Sequence, residues 1–250
     1  MGLAGERIIN SFRFYAVFQE NEEYTVRWNS QELGTIVQPP PIGEKIAIAG
    51  HVWVIEDIDH KRHVVYCEQI KGKVPAYFGE CPGDIHTKIL ERMRQVLRED
   101  TQYPYLMAHA AARLQQARHA ARSSGVTEHT LICLGGDMWC LFPWMGTYAF
   151  LALERFLKVR CAGSLKLSGL SASRPYFIQF KMQADRETFF RVLQEETRRP
   201  LDPMELVYPK ELPLFEKYDE FLPESLVRKG FAYGVLAVEE MKACIQQWNR

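Results

Sequence analysis

The sequence predicts an α+β fold: an N-terminal small β-barrel or rolled sheet, then a mixed α/β unit with basic helices, and a short helical tail. Three observations carry this. Short apolar runs bounded by glycines and polar turns crowd the first 80 residues. Helical spacings take over near residue 84. Strand and helix signals then follow one another without the regular alternation of a doubly wound parallel sheet. The divisions expected are a β-rich domain over 1–83, an α/β domain over 84–210 and a helical tail over 211–250.

In the first domain, residues 8–18 are aromatic and β-branched and read as a strand. Gln38-Pro39-Pro40-Pro41 is an extended connector. Residues 43–50 form a short run closed by glycines, and 52–58 and 63–67 flank the polar turn Asp59-His60-Lys61-Arg62. The second domain opens with Asp84 as the cap of a helix carrying Ile85, Ile89, Met93 and Val96 on one face, joined by Leu90 and Leu97. Lys88, Arg92, Arg94 and Arg98 fill the other face.

After Tyr103-Pro104 comes an alanine-rich helix with Leu106, Ala110, Leu114, Ala117 and Ala121 inward and Arg113, Arg118 and Arg122 outward. Ser123-Ser124-Gly125 stops it. Residues 131–134 and 138–142 flank Gly135-Gly136-Asp137 as a hairpin. Residues 147–158 read as helix, 165–170 and 176–182 as strands, and Asp185 opens a helix through 197. Four prolines within 199–213 suit an ordered linker or wrap, and 221–248 reads as two helices split near 230–234.

Composition narrows the function classes. With 250 residues, 47% hydrophobic and 25% charged, the chain has enough apolar surface to fold, which excludes whole-chain disorder. The longest uncharged run, 138–153, is interrupted by Pro143 and Gly146 and falls short of the about 20 residues a membrane span needs. The first residues lack a basic region followed by an apolar core, so no signal peptide is expected. Six scattered cysteines without a C-x-x-C pair read as reduced thiols of a cytoplasmic protein, with Cys133 and Cys140 facing the core across their hairpin. The net charge is zero, yet the middle of the chain is basic and both ends are acidic: residues 71–199 hold 19 basic and 12 acidic side chains. Such a middle suits either a polyanion or an ordinary solvated surface.

Catalytic signatures are missing. No G-x-x-x-x-G-K-[ST] loop, G-x-G-x-x-G or G-x-S-x-G occurs. Glu56, Asp57 and Asp59 form an acidic cluster read as a solvated hairpin end rather than an ion site. No independent enzyme, metal site or cofactor is expected in this chain.

The stretch Gly43-Glu44-Lys45-Ile46-Ala47-Ile48-Ala49-Gly50-His51-Val52-Trp53-Val54-Ile55-Glu56-Asp57-Ile58, followed by Pro75-Ala76-Tyr77-Phe78-Gly79-Glu80, resembles a segment of the Lhr-like (large helicase-related) superfamily-2 DNA helicases. Gly136-Asp137-Met138-Trp139-Cys140-Leu141-Phe142-Pro143-Trp144-Met145-Gly146-Thr147 is similar to another piece of that family's C-terminal region. The resemblance, over roughly residues 30–160, implies an accessory region of an ATP-dependent helicase that guides or contacts single-stranded DNA or RNA. The motor lobes that carry ATP and Mg would then lie outside this chain, as parts of the same parent protein.

The family usually has tryptophan where Tyr77 stands; tyrosine still offers a ring on which a base stacks. With Tyr77, the cations Lys88, Arg92, Arg94, Arg98, Arg113, Arg118 and Arg122 are the candidate nucleic-acid contacts, through phosphates. Trp53, Trp139 and Trp144 are assigned to the core. A second reading stays open: a structural or protein-docking module with no direct nucleic-acid contact.

Overall fold

A computed structural model describes residues 3–15, 23–37, 39–71 and 84–248. The chain is α+β, with a curled five-stranded sheet near the N-terminus, then helices and a second sheet, and helices at the C-terminal end. It divides into two compact units. One comprises residues 1–80 and 214–221, the other 81–213 and 222–250, so the segment beyond 211 is shared between them.

In the first unit, β1 (Tyr24–Trp28), β2 (Gln31–Ile36), β3 (Lys45–Ile48), β4 (His51–Asp59) and β5 (Val64–Ile70) lie in the order β2-β1-β5-β4-β3. All neighbours are antiparallel except β1 and β5, which run parallel with Val26 opposite Val65. Alternation puts Tyr24, Val26, Trp53, Ile55, Val65 and Cys67 on one face, where Ile36 and Ile46 join them in a single core. The sheet curls until its edges approach: a Cβ built on Gly34 of β2 would stand 3.1 Å from Ile48 Cδ1 of β3. The Trp28 and Trp53 rings meet at 5.5 Å across the intervening strand. Two-residue turns close the β1–β2 and β3–β4 hairpins, with Asn29 at φ 53° and the pair Ala49-Gly50 at 52° and 77°.

Residues 8–15, expected as strand, are helical instead: α1 is Leu3–Ile9 and α2 is Phe12–Tyr15. The pattern explains it, because Ile8-Ile9 followed by Asn10-Ser11 pairs like with like, whereas a half-buried strand alternates. The rest of that run, 16–18, lies outside the described residues. Lys217 Nζ and Tyr218 OH both donate to the Phe14 carbonyl, at 2.9 and 2.8 Å.

The second unit begins with α3 (Thr87–Arg98) and α4 (Ala108–Ser124). The N-cap of α3 is His86, whose Nδ1 accepts from Lys88 N–H; Asp84 lies outside the helix. Gly125, at φ 70°, ends α4. A four-stranded antiparallel sheet follows in the order β6-β7-β9-β8, made of β6 (Leu131–Gly135), β7 (Met138–Leu141), β8 (Ser168–Ser173) and β9 (Phe177–Lys181). β8 starts three residues later than expected, because helix α6 (Ala162–Leu165) includes Leu165.

Helix α5 (Thr147–Phe156) is apolar around nearly its whole circumference and buried from Ala149 onward, which makes it the centre of this unit. It runs through a π-helical turn, Leu157–Cys161, into α6. Helix α9 (Val238–Gln247) packs against α5, and α7 (Arg186–Arg198), capped by Asp185, packs against α9, α6 and the π-helical turn, with Phe189 stacked on Phe180 of β9. α8 (Glu224–Gly230) leads into a second π-helical turn, Phe231–Val235.

Cys133 and Cys140 do not both face the core. Cys140 is buried and Cys133 exposed, because Cys133 pairs with Trp139, the neighbour of Cys140, and successive strand residues point to opposite faces. Trp53 is buried, while Trp139 and Trp144 are half-buried.

Candidate functional site

The predicted cations sit on α3 and α4, which pack against each other, but most are engaged within the protein. Thr87, Leu90, Arg94 and Leu97 recur at i, i+3, i+7 and i+10, so Arg94 lies on the packed face of α3 and not on the solvent face expected for it. Its Nε donates to the Thr127 carbonyl at 2.7 Å, its guanidinium lies 5.8 Å from the Trp144 ring centroid, and burial lowers its pKa from the ordinary arginine value. The inward stripe is therefore centred on Leu90 and Leu97, and Ile89, expected inside, is 60% exposed.

Arg118 departs further from expectation, being 1% exposed. It falls on the packed side of α4 between Leu114 and Ala121, and Ala117, expected there, is exposed. Arg118 Nε donates to the Val96 carbonyl at 2.8 Å and a terminal nitrogen to the Thr101 carbonyl at 3.0 Å. These bonds staple the end of α3 and the following loop to α4. At 1% exposure Arg118 is out of a phosphate's reach, although its Nη1 has no hydrogen-bond partner.

Three more cations are paired with carboxylates. Arg92 bonds Glu99 at 2.9 Å and Tyr103 OH at 3.0 Å. Arg98 grips Glu128 through two bonds of 3.0 and 2.7 Å, and Arg122 reaches Asp100 at 2.6 Å and the Arg98 carbonyl at 3.0 Å. Hydrogen bonds from Tyr103 and Arg92 hold the Glu99 carboxyl below its usual range, and the bond from Arg98 does the same for Glu128. Lys88 and Arg113 are exposed, with no carboxylate at ion-pair distance among the described residues. Tyr77 lies outside the described residues, as does the motif around it.

The same helices and the loop between them border an open, largely apolar groove of about 370 Å³, lined by Arg92, Val96, Tyr103, Tyr105, Leu106, Ala110 and Leu114. Tyr105 and Met107 beside it are 77% and 72% exposed.

No family model matches this chain, and neither does any curated protein or solved structure.

One charged cluster escaped the sequence reading. Arg155, 5% exposed at the end of α5, makes a bidentate pair with Glu211 at 2.6 and 2.5 Å and donates to the Leu206 carbonyl at 3.0 Å. Its guanidinium lies 4.6 and 4.8 Å from the ring centroids of Tyr208 and Phe231. Arg228 donates to the carbonyls of Tyr208 and Glu211 at 2.8 and 2.6 Å. Together the two arginines clamp the proline-rich segment onto α5 and α8. The signal available was the ionic pair Glu154-Arg155 inside an otherwise apolar helix.

The acidic cluster belongs to the end of β4, and Asp59 organises the turn after it. The Asp59 carboxylate accepts from the backbone N–H groups of Lys61 and Arg62 at 3.0 Å each. Burial and a hydrogen bond shared with Glu68 raise the Glu56 carboxyl pKa. Among the described residues no three histidine, cysteine or carboxylate side chains gather as a metal site, and no helix is long and apolar enough to cross a membrane.

Proposed function

We propose that this chain is a cytoplasmic accessory module of an ATP-dependent helicase of the kind its sequence resembles, and that it works chiefly by structural support and docking. The single observation that supports docking over strand guidance is the state of the arginines. Of the seven cations assigned to phosphates, Arg92, Arg94, Arg98, Arg118 and Arg122 are bonded to carboxylates or carbonyls of the same unit. ATP and Mg belong, in this reading, to the motor lobes of the parent protein.

Strand guidance remains the second reading, favoured by the exposed Lys88 and Arg113 and by Tyr77. Titration of a single-stranded oligonucleotide at two salt concentrations separates the two. Docking predicts no salt-dependent binding. Guidance predicts affinity that falls by about 0.7 log unit per phosphate contacted for each tenfold rise in salt, a slope flattened by Lys88→Ala or Arg113→Ala. On that reading Tyr77→Ala costs about 1–3 kcal/mol at either salt concentration.

A further inference from the structure

We infer that the α3–α4 groove is the docking site for an acidic amphipathic helix of another polypeptide, an inference that rests on the docking reading above. The groove has the form that helix recognition uses: two packed helices, an aliphatic floor, and aromatic side chains at the rim. Its surroundings are rich in the residue types that interfaces favour, tyrosine, methionine and arginine. Tyr105, which lines the groove, and Met107, two residues further on, each expose more than half of their surface, and Ile89, 60% exposed, lies one turn before the lining Arg92 on α3, so these exposed apolar side chains follow the two helices that form the groove.

Charge selects the partner's sign. Glu99, the carboxylate beside the groove, is already neutralised by Arg92. Lys88 lies one turn before Arg92 on α3, and Arg113 is adjacent to Leu114 on α4. Both are exposed and have no carboxylate partner among the described residues. A helix with leucine-like side chains spaced i, i+3, i+4 and i+7 and glutamates on its flanks fills the floor and meets both cations. A nucleic-acid strand fits less well, because the floor is aliphatic and the two unpaired cations stand on different helices.

The test uses the full chain and three labelled probes: an amphipathic leucine–glutamate peptide of about 18 residues, long enough for about five helical turns, its lysine-for-glutamate counterpart, and an oligothymidylate. Fluorescence anisotropy should show the glutamate peptide binding at least about tenfold more tightly than the lysine peptide. Ile89→Ala and Tyr105→Ala should each weaken it by at least about tenfold, as hot-spot truncations do. Both residues are exposed, so folding is preserved, which the thermal midpoint verifies. Arg113→Glu should narrow the preference between the two peptides, and Tyr176→Ala, in the β8–β9 turn, should change nothing.

The proposal is overturned if the glutamate peptide does not bind, if the lysine peptide binds as well, or if Ile89→Ala and Tyr105→Ala leave binding intact. It is equally overturned if the oligothymidylate competes for the groove, or if the chain self-associates in a manner lost in Ile89→Ala. Oligothymidylate binding that leaves the peptide untouched would overturn the docking reading of the whole chain while the groove assignment stands.

Discussion

At position 146 the structure has room for a hydrogen atom and nothing larger. A Cβ there would stand 2.7 Å from the Ile85 carbonyl oxygen and 2.8 Å from Thr87 N, while Gly146 N–H donates to Thr87 Oγ1 at 2.7 Å. Thr87 in turn donates to Glu240, and Thr147 Oγ1 accepts from Ile85 N–H at 2.9 Å. Gly146→Ala should therefore cost about 1–3 kcal/mol through overpacking alone, read as a lower urea midpoint. Ala49 presents the opposite case. It holds φ 52° in a two-residue hairpin turn before Gly50, a position that suits asparagine. Ala49→Asn should raise stability by about 0.5–1 kcal/mol, and an unchanged or lower thermal midpoint would contradict this. Arg118→Met should lose at least about 2 kcal/mol, since two carbonyls lose their donor in a buried site. Arg118→Lys should restore only part of it, because an ammonium lacks the planar fork. None of this was readable from spacing. Arginine on a helix counts as a solvent residue until the carbonyls it meets, 17 and 22 residues away, are known.

For elements, legibility followed the strength of the local pattern. The Gly135-Gly136-Asp137 hairpin, the Asp185 cap and the Gly125 stop each have a local chemical cause and lie where the sequence put them. Strands β1 and β2 were missed. Their alternation is short, and they gain their place by pairing with each other and with the distant β5. The stripe on α3 reads off-centre in the sequence because a half-buried arginine, Arg94, interrupts it. Acid should loosen the α3–α4 pair. The Glu99 and Glu128 carboxyls are held below their usual range, so their contribution is complete above an unfolded pKa of about 4.3 and disappears as pH falls through the lowered folded values. Circular dichroism of wild type and Glu128→Gln against pH would show it, the variant losing less on acidification. The Arg155–Glu211 clamp should behave differently. Glu211→Leu leaves a buried cation without its partner and should cost about 3–5 kcal/mol in urea unfolding, whereas Arg155→Met with Glu211→Leu should recover most of that loss.

At the scale of the molecule, the α+β class was legible because the crowding of short strands before residue 70 and of helices after 84 is a matter of composition. The candidate site was legible only as a location. The sequence points to α3 and α4, and the structure turns Arg94 and Arg118 inward, ties Arg92, Arg98 and Arg122 to carboxylates at the surface, and leaves an apolar groove exposed. The first unit carries one more consequence. Its helix α2 offers the Phe14 carbonyl to Lys217 and Tyr218, and the Phe14 ring lies 5.1 Å from that of Tyr218. The partners are separated by 203 and 204 positions in the chain. A ribosome adding about 5–20 residues per second takes about 10–40 s to cover that distance. Throughout that interval the nascent β-unit must hold its N-terminal helices without those two donors, and the last piece of the first unit is made only after residues 81–213 of the second, with 222–250 still to come.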